Sequence, residues 1–308
     1  MNSLFKTIIS LFIGIILGYN LVSNFGNYYP NDFSRIKVIL ESLKIEECEV
    51  VLLGNSVLMN GVDANRFSEN TYNLGSSGKG LNESFLMYQE IPKSVKHVIQ
   101  FVSVDELLEE KLKPIDKQVI LNYYSKGYSP NQFTLSLLDS ASGEEFDNIE
   151  FMDNFRFQRI KFQGSINSFF RSVFQLNNLS NEKFKEIKNP FIYTDDLEES
   201  IVDELIKIHG PKTEIIDFKF NQLHFFLKSI LYFKNRGVSY SIVVLPLHPK
   251  IKYTPNFQNN LNDFIAQNPD LKIYNFSQLL VEKDFIDHAH PNARGREKMT
   301  HELQKIID

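Results

Sequence analysis

A serine stands directly after one of the most apolar short stretches of the chain. In "VVLLGNSVLMNGVD" (50–63), four apolar residues are followed by Gly54, Asn55 and Ser56. A serine at the end of a buried strand can act as a nucleophile in acyl transfer when a neighbouring base removes its proton. A helix that begins just after it would aim backbone N–H groups at the reacting atoms. A serine can equally cap such a helix, so this stretch alone leaves both interpretations open.

An acid and a base that suit such a nucleophile lie near the other end of the chain. In "DFIDHAHPNARGREKM" (284–299), Asp287 and His290 are three residues apart in a short segment before a helical pattern. A loop can fold the carboxylate onto one imidazole nitrogen, which leaves the other nitrogen to accept a proton from a serine. Ser56, Asp287 and His290 are therefore the candidate catalytic residues, with His290 as the base.

A glycine-containing segment, "YNLGSSGKG" (72–80), offers backbone donors to the same site. Gly75 can bring its N–H close to a substrate because no side chain stands in the way. With the N–H of Ser56 it would form an oxyanion hole, which stabilises the negative charge that develops in acyl transfer. A phosphate loop is the rival interpretation. It fails the G-x-x-x-x-G-K-[ST] pattern because Gly80 follows Lys79.

Two further histidines are candidates for binding. His288 and His290 flank one alanine and could share a metal ion, but no third ligand follows at a supporting spacing. Cys48 is the only cysteine, which excludes a Cys-rich site and an internal disulfide. We therefore expect no metal or other cofactor, and assign His288 to the surface or to substrate binding. His248, in "LPLHPK", is a candidate substrate contact, with a purely local structural role as the alternative.

The elements that would position these residues alternate between strands and helices. Helical patterns lie between most of the apolar runs, among them 218–237, which ends in Gly237 as a C-cap, and 293–307, which Asn292 caps. This alternation predicts a three-layer α/β/α fold, in which helices cover both faces of a five-stranded, mainly parallel sheet. The predicted strands are "EVVLLG" (49–54), "TYNLG" (71–75), "HVIQFV" (97–102), "SYSIVVLPL" (239–247) and "LKIYNF" (271–276).

The order of these features resembles the SGNH (GDSL-like) hydrolase and acyltransferase superfamily. The resemblance covers about 46–105 and 217–308. It implies that Ser56 is the nucleophile, that Gly75 is an oxyanion donor, and that Asp287 and His290 complete the triad. Asn55 stands where this superfamily has aspartate, and is a candidate substrate contact.

The pattern of this superfamily is divided into sequence blocks, and at the third block this chain departs from the pattern. The chain reads "VSVD" (102–105), with Val104 where an oxyanion asparagine is expected. Loss of a comparable donor typically costs about 2.7–4 kcal/mol of transition-state stabilisation. Ser103, Asn82 or a residue of the inserted segment would have to replace it, or the activity is weak or specialised. Ser103 is for this reason included among the candidate substrate-binding residues.

The amino-terminal segment predicts a membrane anchor. Between Leu4 and Val22 the only charged residue is Lys6, and such a helix would span about 28 Å, close to the apolar thickness of a bilayer. A cleaved signal peptide is the alternative, although no small-x-small cleavage site follows. The positive charge before the apolar stretch places the amino terminus in the cytoplasm and the remaining chain outside, at the cell surface or in the periplasm.

Length and charge agree with this organisation. The 308 residues divide into an anchor (1–25) and one α/β domain (26–308), within which 107–215 breaks the strand–helix alternation and is predicted to be a helical insertion. The insertion either covers the site or serves only packing. A net charge of -5 gives no electrostatic case for nucleic acid.

The anchored layout is similar to a branch of the superfamily that includes alginate O-acetylation proteins and the D-alanyl-transfer protein of Gram-positive walls. This implies a membrane-anchored serine O-acyl esterase or O-acyltransferase of an extracytoplasmic polysaccharide, with a membrane-bound acyl donor protein as a partner. The alternatives are a catalytically weakened protein that binds glycan or a partner, and a nucleotide-binding α/β domain.

Overall fold

Five apolar runs of the chain form the strands of one parallel sheet. The computed structural model describes residues 3–26, 48–67, 70–77, 80–108, 134, 136, 196–210, 223–253 and 256–307. The strands are β1 (Val50–Leu53), β2 (Thr71–Asn73), β3 (His97–Val102), β4 (Ser239–Val244) and β5 (Ile273–Asn275). Their order is β2-β1-β3-β4-β5, and every neighbouring pair is parallel, which confirms the predicted α/β class.

This strand order creates a switch point next to β1. Strand β2 lies next to β1 on one side. The chain then returns past β1, and β3 lies next to β1 on the other side. Ligands of open parallel sheets bind outside the carboxyl ends of the strands at such a switch point, because the connecting segments diverge there and leave a crevice. The carboxyl end of β1, where Ser56 follows, is thus the expected place of a site.

Helices connect the strands. The described residues form α1 (Ser3–Gly26), α2 (Ser56–Gly61), α3 (Leu81–Tyr88), α4 (Val104–Leu108), α5 (Glu199–His209), α6 (Leu223–Lys234), α7 (Phe257–Gln267) and α8 (Ala293–Ile307). The predicted caps are confirmed: Gly237 follows α6 at a φ of +73°, and the Oδ1 of Asn292 accepts the N–H of Arg294 at the start of α8.

Helices pack on both faces of the sheet, as alternating side chains require. On one face, α2 and α8 contribute buried Leu58, Met299 and Leu303 to a core with alternate residues of the strands. On the other face, the aromatic rings of α3 and α6 pack together, and Phe233 stacks on Tyr240 of β4 at 5.3 Å. The hydroxyls of Tyr88 and Tyr240 share a hydrogen bond of 2.9 Å in this aromatic layer, so neither hydroxyl is left without a partner.

The chain divides into two compact units. One comprises Met1–Glu41, Asp116–Ser129 and Glu145–Ile187, and the other comprises Ser42–Ile115, Pro130–Glu144 and Lys188–Asp308. The second unit contains the whole sheet. Of the predicted helical insertion (107–215), the described part includes the helix α5 (Glu199–His209), and most of the rest lies outside the described residues. The predicted role of the insertion as a cover stays a prediction.

The apolar amino-terminal segment forms the single helix α1, of 24 residues. Its described apolar side chains are largely exposed, with Leu11 at 65% and Phe12 at 64%. Of the helices in the described part of the chain, however, none combines the length and apolar character that crossing a membrane requires. The predicted transmembrane anchor at 1–25 is therefore without support in the structure.

Candidate active site

Strand β1 and helix α2 together place Ser56. The backbone leaves the buried strand at Leu53, and Asn55 caps α2 by accepting the N–H of Val57 on its side-chain oxygen at 2.9 Å. Ser56 is the first residue of α2 and not its cap, because Asn55 takes the capping position. The hydroxyl of Ser56 is therefore not used for capping, which removes one of the two interpretations of this serine.

The loop before α8 holds Asp287 and His290 in one rigid turn. One carboxylate oxygen of Asp287, Oδ1, accepts the N–H groups of Ala289 (2.7 Å) and His290 (2.8 Å), and the other, Oδ2, lies 2.8 Å from Nδ1 of His290. The N–H of Ile286 closes the turn by donating to the carbonyl of His290 at 2.8 Å. The D-x-x-H spacing therefore folds the carboxylate onto its own turn and onto the imidazole at once.

The environment of Asp287 keeps it ionised. Partial burial works to raise its pKa, but the hydrogen bonds from the His290 ring and from the N–H groups of His290 and Ala289 outweigh burial and hold the pKa below its usual range. A carboxylate only accepts hydrogen bonds, so Nδ1 of His290 carries a proton. In the neutral imidazole, Nε2 is then the acceptor.

Nε2 of His290 lies 2.9 Å from Oγ of Ser56. The Ser56 hydroxyl, the imidazole and the Asp287 carboxylate thus form one continuous hydrogen-bonded chain. The side chains of His290 and Asp287 keep 27% and 20% of their surface exposed, so a substrate can approach them. The structure therefore brings together the three residues that the sequence selected as catalytic candidates.

Helix α8 fixes the distance between the serine and the histidine. Its Arg296 is buried and donates from Nη1 to the carbonyl of Asn60 (3.0 Å) at the end of α2. Burial lowers the pKa of Arg296 to about 10, against the opposing effect of Asp63. Thr300 accepts the N–H of Asp63 on its hydroxyl at 2.9 Å. The helix that begins directly after the His290 loop is thus bonded to the helix that begins with Ser56.

Gly75 lies against α2, but its N–H is already bonded. It donates to Oδ1 of Asn73 at 2.9 Å, within the buried end of β2. A Cβ at residue 75 would lie 2.6 Å from the backbone N of Met59, so the glycine allows the two backbones to approach closely. In this arrangement the N–H of Gly75 is not available to an oxyanion, and its role as a donor stays a prediction.

The third block does not supply a replacement donor through Ser103. The Ser103 hydroxyl lies 3.0 Å from Oε2 of Glu106, which also accepts the N–H of Ser103 at 2.8 Å. Val104 is buried at 1% exposure. The side-chain oxygen of Asn82 accepts the N–H of Glu83 at 2.9 Å. Ser103 is thus occupied with its own turn, and a substrate-binding role for it would need this turn to open.

His288 lies within the loop that holds Asp287 and His290, and His248 contacts Phe285 just before that loop. His288 stacks on His209 of α5 at 4.9 Å, and partial burial, with His209 and His290 nearby, lowers its pKa although Asp287 acts in the opposite direction. His248 is 3% exposed, meets the Phe285 ring edge-on at 5.0 Å, and has a pKa lowered mainly by burial. Within the described ranges, no group of three or more His, Cys, Asp or Glu side chains is arranged to hold a metal ion.

Three residues that build the site were not predicted from the sequence. Asn73 donates from Nδ2 to the carbonyls of Leu58 (3.3 Å) and Val62 (3.1 Å) at the end of α2. Glu106 joins the third block (102–105) to the start of α3, because it also accepts the N–H of Leu81 at 2.6 Å. The S-x-x-E spacing of Ser103 and Glu106 is a capping-box signal that could have identified this bond. For the bonds of Asn73 to α2, and for the buried Arg296, no local signal exists.

The arrangement can carry out acyl transfer through a serine. His290 can take the proton of Ser56 while Asp287 stabilises the charged imidazole, and the N–H of Ser56, as the first of α2, has no acceptor inside its own helix.

A scan of known protein families finds none that matches this chain, and a search of curated proteins also finds no match.

Proposed function

We propose that this protein is a serine O-acyl esterase or O-acyltransferase that acts on a polysaccharide outside the cytoplasmic membrane. The observation that carries the proposal is the hydrogen-bonded chain from Ser56 Oγ through His290 to Asp287, with contacts of 2.9 and 2.8 Å. Its position at the switch point of the sheet supports the same conclusion. The polysaccharide and the extracytoplasmic location rest on the resemblance to SGNH proteins.

The reaction proceeds in two halves. Oγ of Ser56 attacks the carbonyl carbon of the acyl donor as His290 Nε2 takes the hydroxyl proton, and the donor's alcohol leaves with that proton. The acyl-Ser56 ester then reacts with a second hydroxyl, whose proton passes to His290, and Ser56 regains a proton when it leaves. Water as the second hydroxyl gives hydrolysis, and a sugar hydroxyl gives transfer. The scheme uses no cofactor, and a membrane-bound acyl donor protein is the proposed partner.

A catalytically weakened binding protein is the second candidate. The bonded N–H of Gly75 and the buried Val104 favour it, because they leave the N–H of Ser56 as the remaining oxyanion donor among those considered. Removal of one such donor lowers kcat by about 100- to 1,000-fold in well-studied hydrolases. The two candidates therefore differ in rate and agree on the place of binding.

Hydrolysis of p-nitrophenyl acetate by the full chain tests the first proposal. We expect turnover that Ser56→Ala and His290→Ala each abolish, while the melting temperature stays within a few degrees. Turnover that survives in Ser56→Ala would remove Ser56 as the nucleophile. An intact protein that binds glycan and shows no Ser56-dependent turnover would establish the second candidate instead.

A further inference from the structure

A cavity of about 410 Å³ lies beyond the ends of β4 and β5. Its volume falls within the range of small-ligand sites, about 300–1,000 Å³. Its lining includes His248, Tyr253, Phe257, Gln258, Ser277 and Gln278. None of them takes part in the hydrogen-bonded chain of Ser56, His290 and Asp287, so the cavity has no role in the chemistry described above.

One wall of the cavity is an aromatic surface held in a fixed orientation. The rings of Tyr253 and Phe257 stack at 4.9 Å with an angle of 29° between their planes. The hydroxyl of Tyr253 donates to Asp105 at 2.6 Å, which ties the ring to the helix that follows β3. Aromatic faces bind apolar surfaces that carry slightly positive hydrogens, and the C–H face of a sugar ring is such a surface.

The other walls present neutral hydrogen-bonding groups. His248 is nine-tenths buried, and its Nδ1 accepts the N–H of Lys250 at 3.3 Å, so the proton of the neutral ring is on Nε2. Ser277 Oγ lies 2.9 Å from Oε1 of Gln258, which leaves the amide NH₂ of Gln258 as a donor. Neither this NH₂ nor Nε2 of His248 has a hydrogen-bond partner in the described part of the chain.

The charges around the cavity favour an uncharged ligand. Among its described lining residues Lys252 is the single charged side chain, and its Nζ donates to the carbonyl of Pro249 at 2.8 Å. Burial lowers the pKa of His248, which keeps that imidazole neutral near pH 7. A phosphate or carboxylate would therefore meet one lysine and no second cation, whereas hydroxyl groups would meet donors and acceptors that suit them.

The cavity lies along the same edge of the sheet as Ser56. Strands β4 and β5 are two and three positions from β1, and neighbouring strands are about 4.8 Å apart, so the cavity lies roughly 10–15 Å from the end of β1. His248 connects the two places because it contacts Phe285, two residues before Asp287. A ligand held in the cavity could thus extend along this edge to the serine.

We propose that this cavity binds an uncharged sugar residue of the acceptor polymer, a few residues from the hydroxyl that receives the acyl group. The sugar ring packs on Tyr253, and its hydroxyls bond to His248, Gln258 and Gln278. That the sugar belongs to an acceptor rests on the proposed function, while the binding of a neutral sugar here does not. The cavity would then favour transfer over hydrolysis by holding the acceptor near the acyl-serine.

Calorimetric titration of the full chain carrying Ser56→Ala tests the proposal without turnover. The probes are cellohexaose, chitohexaose and mannohexaose, with hexamannuronate as an acidic probe. We expect at least one neutral hexasaccharide to bind more tightly than the acidic one, and Gln258→Ala and Gln278→Ala each to raise its Kd about fivefold or more. Gln267→Ala, an exposed glutamine on the same helix as Gln258 but outside the cavity, is the matched control and should change Kd less than twofold.

Three results would overturn the proposal: binding of none of the three neutral sugars, tighter binding of the acidic one, or an unchanged Kd in both cavity variants. Using two separate glutamine variants means that misfolding of one does not decide the outcome. Failure of the proposed function is seen separately, as absence of Ser56-dependent ester turnover in the unmodified chain. Sugar binding without turnover would contradict only that function, and turnover without sugar binding would contradict only the cavity proposal.

Discussion

Nε2 of His290 lies 2.9 Å from Oγ of Ser56 although 234 positions of sequence separate the two residues. Two contacts between α2 and α8 hold this relationship. Arg296 donates to the carbonyls at the end of α2, and Thr300 accepts the N–H of Asp63 just beyond it. The serine and the histidine lie near the beginnings of these two helices, so the contacts between the helices determine the distance between the two side chains.

Replacement of Asp287 by asparagine should abolish most activity with little change in side-chain shape. The amide cannot stabilise a charged imidazole, and it can hold the ring in the wrong tautomer, which costs about 10⁴-fold in a serine protease triad. We expect ester turnover to fall by roughly 10³- to 10⁴-fold at a temperature well below the melting transition. Asp270→Asn, in an exposed turn, is the control. Asp287→Asn activity within tenfold of the unmodified chain would contradict a role for Asp287.

Arg296→Met should weaken the contacts between α2 and α8. The change leaves the carbonyls of Met59 and Asn60 without this donor, and an unsatisfied buried polar group costs about 1–3 kcal/mol. We expect the free energy of unfolding, measured in urea, to fall by about that amount. The rate of labelling by a fluorophosphonate should also fall, because Ser56 and His290 are no longer held together.

The matched control for this change is His301→Met, at an exposed position of the same helix. It should alter stability by less than about 0.5 kcal/mol. If Arg296→Met lowered stability yet left the labelling rate of the folded protein unchanged, Arg296 would serve stability alone and would have no positioning role.

Gly75→Ala tests whether residue 75 must be a glycine because α2 packs closely against it, rather than because the backbone there needs the conformational freedom of glycine. The added methyl would lie 2.6 Å from the backbone N of Met59 and 2.9 Å from Oδ1 of Asn73, so α2 or β2 must move. Such overpacking typically costs about 1–3 kcal/mol, which chemical denaturation can measure. At Gly14, where no atom lies within 4 Å of the added methyl, the same substitution should not destabilise. Equal stability of the two variants would mean that α2 does not press on Gly75.

A second serine–histidine pair makes stability depend on pH. His97 lies 2.8 Å from Ser241 through Nε2, and burial, with Lys272 nearby, lowers its pKa to about 4 from 6.5. Because the unfolded chain takes up this proton below pH 6.5 and the folded chain does not, stability is full above that pH and falls towards pH 4. The contribution of His97 to this loss is about 2–3 kcal/mol.

Urea unfolding at pH 7 and pH 4.5 measures this contribution. His97→Gln should lose less stability between these values than the unmodified chain, because glutamine does not titrate. His301→Gln, which removes an exposed histidine of α8, serves as the comparison and should behave like the unmodified chain. An equal pH dependence in His97→Gln and the unmodified chain would contradict the lowered pKa of His97.

The sheet could be predicted because each strand lies in a short, largely apolar run of the sequence. Strand β3 has the predicted bounds of 97–102, while β4 ends at Val244 rather than at 247 because Pro246 has no N–H for the ladder. Strand β5 begins late, after Lys272 with its φ of 47°. The ends of strands thus depend on single backbone positions, which the apolar pattern does not report.

The approach of the three candidate residues was also predictable, since D-x-x-H is a local pattern and parallel strands bring their carboxyl ends to one edge. The bonds that occupy Gly75 and Ser103 were not predicted. Their partners, Asn73 and Glu106, turn their side chains back to the backbone, and both spacings are local patterns, that of an Asx-turn for Asn73 and that of a capping box for Glu106. The cavity beside His248 depends on distant segments and has no sequence signal.

The assignment of Ser56 as the nucleophile is tested most directly by identifying the residue of the full chain that reacts with a fluorophosphonate. Digestion and tandem mass spectrometry should place the adduct on Ser56, and Ser56→Ala and His290→Ala should each remove it. Ser241→Ala, which alters a buried serine that is also bonded to a histidine, should leave labelling unchanged. An adduct at another serine, or labelling of folded Ser56→Ala at the rate of the unmodified chain, would contradict the assignment of Ser56 as the nucleophile.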